Sequence, residues 1–96
     1  MIVQRNTVRL QLGKLQEANA LVKAEIERVK FPNAARVYAP KFGVADMHIG
    51  EYEFANLAEL EQFWANWHAQ PEAQAFLQKY SELIQPGMVS EVFDLV

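Results

Sequence analysis

The sequence predicts an α+β domain of the ferredoxin-like kind, β-α-β-β-α-β: a four-stranded antiparallel sheet with both helices on one face. Three observations predict it. Two stretches of helical apolar spacing flank a pair of strand-like runs joined by a short turn, "KFGV". An alternating segment opens the chain and a Val- and Phe-rich one closes it. No linker, low-complexity tract or solenoid repeat interrupts the 96 residues, which read as one domain, 1–96. A parallel α/β sheet would need a helix between every two strands, and the tight strand-turn-strand over 34–54 leaves none there.

Each element has its own signal. Residues 2–12, "IVQRNTVRLQL", alternate as a strand, with Ile2, Val8, Leu10 and Leu12 on one face and Val3, Arg5, Thr7, Arg9 and Gln11 on the other. Gly13 ends that strand. Residues 14–30 then place Leu15, Ala18, Val22, Ile26 and Val29 on one side of a helix that Pro32 stops. "AARVYAP" and "ADMHIGEYEF" are rich in β-branched and aromatic residues, as strands are. Asn56 followed by Glu59 is a capping box, and Leu57, Leu60, Trp64 and Trp67 form the stripe of the helix it opens. Pro71 breaks that helix, which resumes with Ala73, Phe76, Leu77, Tyr80 and Ile84 before "QPG" turns the chain into the last strand, "MVSEVFDLV".

Composition narrows the function classes. An apolar share of 51% with 22% charged residues is that of an ordinary globular protein. A net charge of -3 with no basic block argues against a nucleic-acid footprint. The absence of cysteine excludes disulfides, thiolate metal sites and cysteine nucleophiles. The alternating N-terminus is unlike a signal peptide, and no apolar run is long enough for a membrane span, so no membrane partner and a cytoplasmic location are expected. No glycine-rich phosphate loop or nucleophile elbow is present, which leaves flavin or nicotinamide unsupported, and no cofactor is expected.

Helices on one face leave the other face of the sheet bare, carrying Arg5, Thr7, Arg9 and Gln11 from the first strand. Apolar residues on both faces of the other strands, Val37, Tyr38, Ile49, Tyr52, Val92 and Phe93 among them, leave the register undecided. A large mixed patch of this kind is usually covered by self-association, so a homodimer with two sheets face to face is expected.

The candidate site residues cluster around the second helix. Trp64 and Trp67 fill the helix–sheet interface first and wall a ligand pocket second, since such pockets are mostly apolar and aromatic. His68 flanks the same stripe: it is either a half-buried boundary histidine bonded to backbone or a base. Asn6 stands among apolar residues of the first strand, where its amide must bond to a core neighbour or face a cavity. Arg36 and Tyr38 share a strand face and offer anion and hydroxyl contacts, unless Arg36 pairs with a carboxylate across the sheet. His48, Glu51 and Glu53 do not make a metal site, because alternation turns His48 with Tyr52 and the two glutamates the other way. The break at Pro71 predicts a void beneath residues 64–77, since a straight helix would have buried Trp67 equally well.

The element order, the "FWANW" stretch on the second helix and the Pro-containing break resemble the dimeric α+β barrel superfamily, which includes antibiotic-biosynthesis monooxygenase-like, NIPSNAP-like and haem-degrading proteins. The likeness spans essentially the whole chain. It implies a pocket in each subunit between sheet and helices. Asn6 and Trp67 (or Trp64) match the asparagine and tryptophan of the haem-degrading members, but Leu77 stands where those carry the iron-binding histidine, so the haem ligand is missing. Two readings remain. One is a NIPSNAP-like dimer that binds a small aromatic or apolar molecule among Asn6, Arg36, Tyr38, Trp64, Trp67, His68 and Leu77. The other is a cofactor-independent monooxygenase acting on a phenolic or enolic substrate, with Asn6 holding the oxyanion and His68 as base.

Overall fold

A computed structural model describes residues 1–96. The elements run β1 (Ile2–Arg9), α1 (Leu15–Val29), β2 (Ala35–Tyr38), β3 (Met47–Phe54), α2 (Leu57–His68), α3 (Pro71–Ser81) and β4 (Val89–Asp94). The strands form one antiparallel sheet in the order β2-β3-β1-β4, the ferredoxin-like topology. The predicted second helix is two helices, because Pro71 occupies the first turn of α3. Proline suits that position, where its missing N–H has no intrahelical partner to lose.

Local chemistry explains the boundaries. Asn56 caps α2 by accepting from Glu59 N at 2.9 Å, and Glu59 reaches back to accept from Ala55 N at 2.8 Å. Lys30 closes α1 in the left-handed conformation, with φ of 59°. The first strand ends earlier than its alternation predicts. Beyond Arg9 only Leu10 pairs, as an isolated bridge to Ile84, and the chain turns at Gly13, leaving Leu12 exposed. The polar–apolar rhythm continued where the backbone partners did not. Leu57, the predicted start of the α2 stripe, is likewise exposed in the first turn.

The register settles the faces. Asn6 lies opposite Gly50 on one side and Ser90 on the other, and Val8 lies opposite His48. Gln4, Asn6 and Val8 therefore share the helix-covered face with His48, Gly50, Tyr52, Phe54 and Ser90. Val8 and Leu10 pack there with Ala18 and Leu83, and Phe54 is fully buried under α2 against Phe63. The bare face carries Val3, Arg5, Tyr38, Ile49, Glu51 and Phe93.

Candidate functional site

α2 and α3 meet at Gln70, whose backbone is extended. Between the helices and the sheet lies a cavity of about 270 Å³. Asn6, His48, Trp64, Trp67, Leu77 and Tyr80 are among its walls, so the void expected beneath residues 64–77 is present. Its volume falls just below the range of about 300–1,000 Å³ typical for drug-sized ligands, and well above the roughly 150 Å³ that admits benzene.

One wall is a chain of polar groups with a fixed direction. The Trp64 indole N–H can only donate, and it donates to Gln4 Oε1 at 2.6 Å. That makes the other end of the Gln4 amide the donor, to Ser90 Oγ at 3.1 Å. Ser90 passes its single proton on to Asn6 Oδ1 at 2.7 Å. The Asn6 amide N–H groups complete the series and bond to no protein group. The half-buried Trp64 indole thus sets the orientation of an amide two residues along the strand from Gln4.

The second polar array comes from β3. His48 is 2% exposed, with Nδ1 2.8 Å from Asn19 Oδ1 on α1 and Nε2 2.6 Å from the Tyr80 hydroxyl on α3. The Asn19 oxygen can only accept, so Nδ1 carries the proton and Nε2 accepts from Tyr80. Burial pushes the imidazole below its ordinary value of 6.5, so it is neutral at pH 7. Burial, and then the neighbouring Tyr52, hold the Tyr80 hydroxyl well above the ordinary tyrosine range, so it stays protonated. The stability consequence has a definite sign. Unfolding releases an imidazole that takes up a proton below pH 6.5 while the folded one does not. Stability is therefore full above that pH and falls as pH drops through it toward the depressed folded value. Urea melts from about pH 7.5 to about pH 5 should show this loss above the carboxylate range, and His48→Gln should flatten it.

Tyr52 completes the floor. Its hydroxyl lies 2.6 Å from where a Cβ on Gly50 would stand, so the phenol lies in space that only glycine leaves empty. Phe31 and Trp64 hold the ring, with centroids 4.7 and 5.4 Å away. Burial raises its hydroxyl to about 12, and the group makes no hydrogen bond within the protein. Cross-strand Cβ atoms stand roughly 5 Å apart, which brings the Tyr52 hydroxyl close to Asn6. At the cavity edge, Trp67 donates its indole N–H to Glu25 Oε2 at 2.7 Å. Arg28, bonded to the same carboxylate at 2.6 Å, holds Glu25 below the ordinary range against the cost of its burial, with Trp67 adding to that effect.

The structure therefore brings together Asn6, Trp64, Trp67 and Leu77, with His68 at the edge. Two predicted members are elsewhere. Arg36 and Tyr38 lie on the bare face of the sheet, where Arg36 pairs with Glu53 at 2.7 Å and Glu51 at 3.3 Å and also donates to the Tyr38 hydroxyl. The parity of β2 against β3 turns them away from the helices, and the cross-strand carboxylate pairing prevails. His68 is exposed rather than half-buried; its ring packs edge-on against Trp67 and makes no side-chain hydrogen bond. His48, Tyr52, Tyr80, Gln4 and Ser90 were missing from the predicted site. The shared parity of His48 and Tyr52 was visible, but which face met the helices was not. No three His, Cys, Asp or Glu side chains come together to hold a metal ion.

No protein-family model matches the chain, and no curated protein does. Solved structures do. A NIPSNAP family protein from Agrobacterium tumefaciens superposes with a TM-score of 0.85 at 21% identity, over 99% of this chain and 92% of that one. The chain shares the NIPSNAP fold. An uncharacterized NIPSNAP domain protein from Burkholderia xenovorans matches with a TM-score of 0.83 at 17% identity, over 100% and 95% of the two chains. A more distant match, an antibiotic biosynthesis monooxygenase, has a TM-score of 0.76 at 10% identity, over 100% and 99%. The expected likeness to NIPSNAP-like and antibiotic-biosynthesis monooxygenase-like folds is thus found, at the level of the fold. No helix is long and apolar enough to cross a membrane.

Proposed function

We propose that the protein binds a small, largely apolar molecule bearing a polar oxygen in the cavity between helices and sheet. The observation that carries this is the Asn6 amide, held in one orientation by Trp64, Gln4 and Ser90 with its N–H groups free. A polar side chain oriented by a series of hydrogen-bonded partners, beside an unbonded Tyr52 hydroxyl, is the arrangement of a ligand contact rather than of packing. The aromatic walls supply the apolar contact, with Trp67 6% exposed and Phe76 beside it at 5.8 Å.

The chain acts as a homodimer joined through the bare sheet face in this reading. That face presents Tyr38 and Phe93 more than 40% exposed around the Arg5–Glu51–Arg36 ion cluster, and Arg5 stacks over Phe93. A second reading, cofactor-independent oxidation of a phenolic or enolic substrate, is favoured by the neutral His48 bonded to Tyr80 at the cavity wall, a base in place of the expected His68. Native mass spectrometry of protein purified gently from its own source tests the first reading. The expected result is a dimer with one small molecule per subunit. A monomer would remove the paired sheets, and a chain that retains no molecule and takes up none from a panel of small aromatic alcohols and ketones would remove the binding role.

A further inference from the structure

The two hydrogen-bond arrays face the cavity with opposite polarity. The series from Trp64 reaches Asn6 as a donor. The series from Asn19 runs the other way: Asn19 accepts from His48, His48 accepts from Tyr80, and Tyr80 has spent its only proton. What Tyr80 then offers the cavity is its oxygen, as an acceptor. Asn6 and His48 stand two residues apart in register on adjacent strands, roughly 7 Å along the sheet. One wall between them is aromatic, formed by Trp64 and Trp67 at 5.5 Å from each other and Phe76 stacked on Tyr80 at 5.1 Å.

Resting on the binding role proposed above, we infer that the cavity selects a flat carbonyl compound with a hydroxyl at its far end. The carbonyl oxygen accepts from Asn6 and from the unbonded Tyr52 hydroxyl, and the ligand hydroxyl donates to Tyr80. A hydroxyaryl ketone of one or two rings has this chemistry and this span. The selection is strict because the polarity is fixed from behind. Tyr80 cannot turn its proton toward a ligand acceptor without leaving the buried His48 nitrogen unbonded, and an ether or bare ring in place of the hydroxyl leaves the Tyr80 oxygen unsatisfied. Glu25 from α1, Tyr52 from β3 and His68 from α2 are the other titratable groups on this cavity, and none bonds to the His48–Tyr80 pair.

Calorimetric titration of the full chain with 4-hydroxyacetophenone, acetophenone and 4-methoxyacetophenone tests the inference. The hydroxyl compound is expected to bind at least about tenfold tighter than the other two. Tyr80→Phe, which keeps the ring and removes only the hydroxyl, should bring the three within about twofold of each other while acetophenone binding is retained. Equal affinities in the unsubstituted chain, or tightest binding of the methoxy compound, would overturn the selection while leaving the cavity a binding site. Failure of all three to bind would overturn the binding role as well. Long-range ¹⁵N NMR of His48 is a check that needs no variant: the proton is expected on Nδ1, and a proton on Nε2 would reverse the polarity and overturn the inference.

Discussion

Gly50→Ala is expected to destabilise the fold by about 1–3 kcal/mol and to abolish binding in the cavity. In open space a Gly→Ala change in a strand stabilises by about 0.4–1 kcal/mol, because the unfolded chain loses freedom. Gly50 has an ordinary backbone conformation, so nothing in φ opposes alanine. What opposes it is Tyr52, whose Oη and Cζ would stand 2.6 and 3.1 Å from the new Cβ. The tyrosine cannot yield cheaply, being 8% exposed and held between Phe31 and Trp64. If the clash is the cause, Tyr52→Phe added to Gly50→Ala should recover part of the loss, a coupling that denaturant melts of the four species would read directly. Strict additivity would place the damage elsewhere.

Phe54→Ala is expected to cost about 3–5 kcal/mol, the range for emptying a phenylalanine-sized hole in a core. Phe54 is completely buried at the end of β3, with Phe63 and Trp64 over it at 5.5 and 6.5 Å. Domains of this size have only about 5–15 kcal/mol in total, so the variant should be largely melted by mild heating or low urea. Its effect should also reach the ligand contacts, because Trp64 rests on Phe54 and sets the direction of the polar series to Asn6. Urea melts with the variant and with Phe54→Leu, which leaves a smaller hole, would grade the loss by volume. A loss independent of volume would contradict a packing origin.

How far these features could be read beforehand differs by level. The ferredoxin-like order was legible because each element carries a local signal: alternation in β1, the Asn56–Glu59 cap, Pro71 as a break between two helical stretches. The end of β1 was not, since Leu12 keeps the alternation after its backbone partners have run out. Within the site, Trp64 and Trp67 could be named from helical periodicity and Asn6 from its place among apolar residues of β1, whereas Leu77 entered only through the resemblance to the barrel superfamily. Arg36 and Tyr38 were misplaced because a strand of four residues has no face until its neighbour is known, and Glu51 decides it. The His48–Tyr80–Asn19 contact joins β3, α3 and α1 over separations of 29 and 32 residues, and no local pattern announces such a meeting. No sequence pattern marks Gly50; only the position of the Tyr52 phenol gives it a task.

Binding in the cavity between helices and sheet is most directly tested by a ¹⁵N NMR titration of the intact chain with 4-hydroxyacetophenone. Occupancy of the cavity predicts saturable shifts in the Asn6 side-chain amide and in the Trp64 and Trp67 indole N–H signals, with residues of the bare sheet face unmoved. Saturable shifts confined to that bare face, or none at any of the three signals up to the solubility limit, would contradict it.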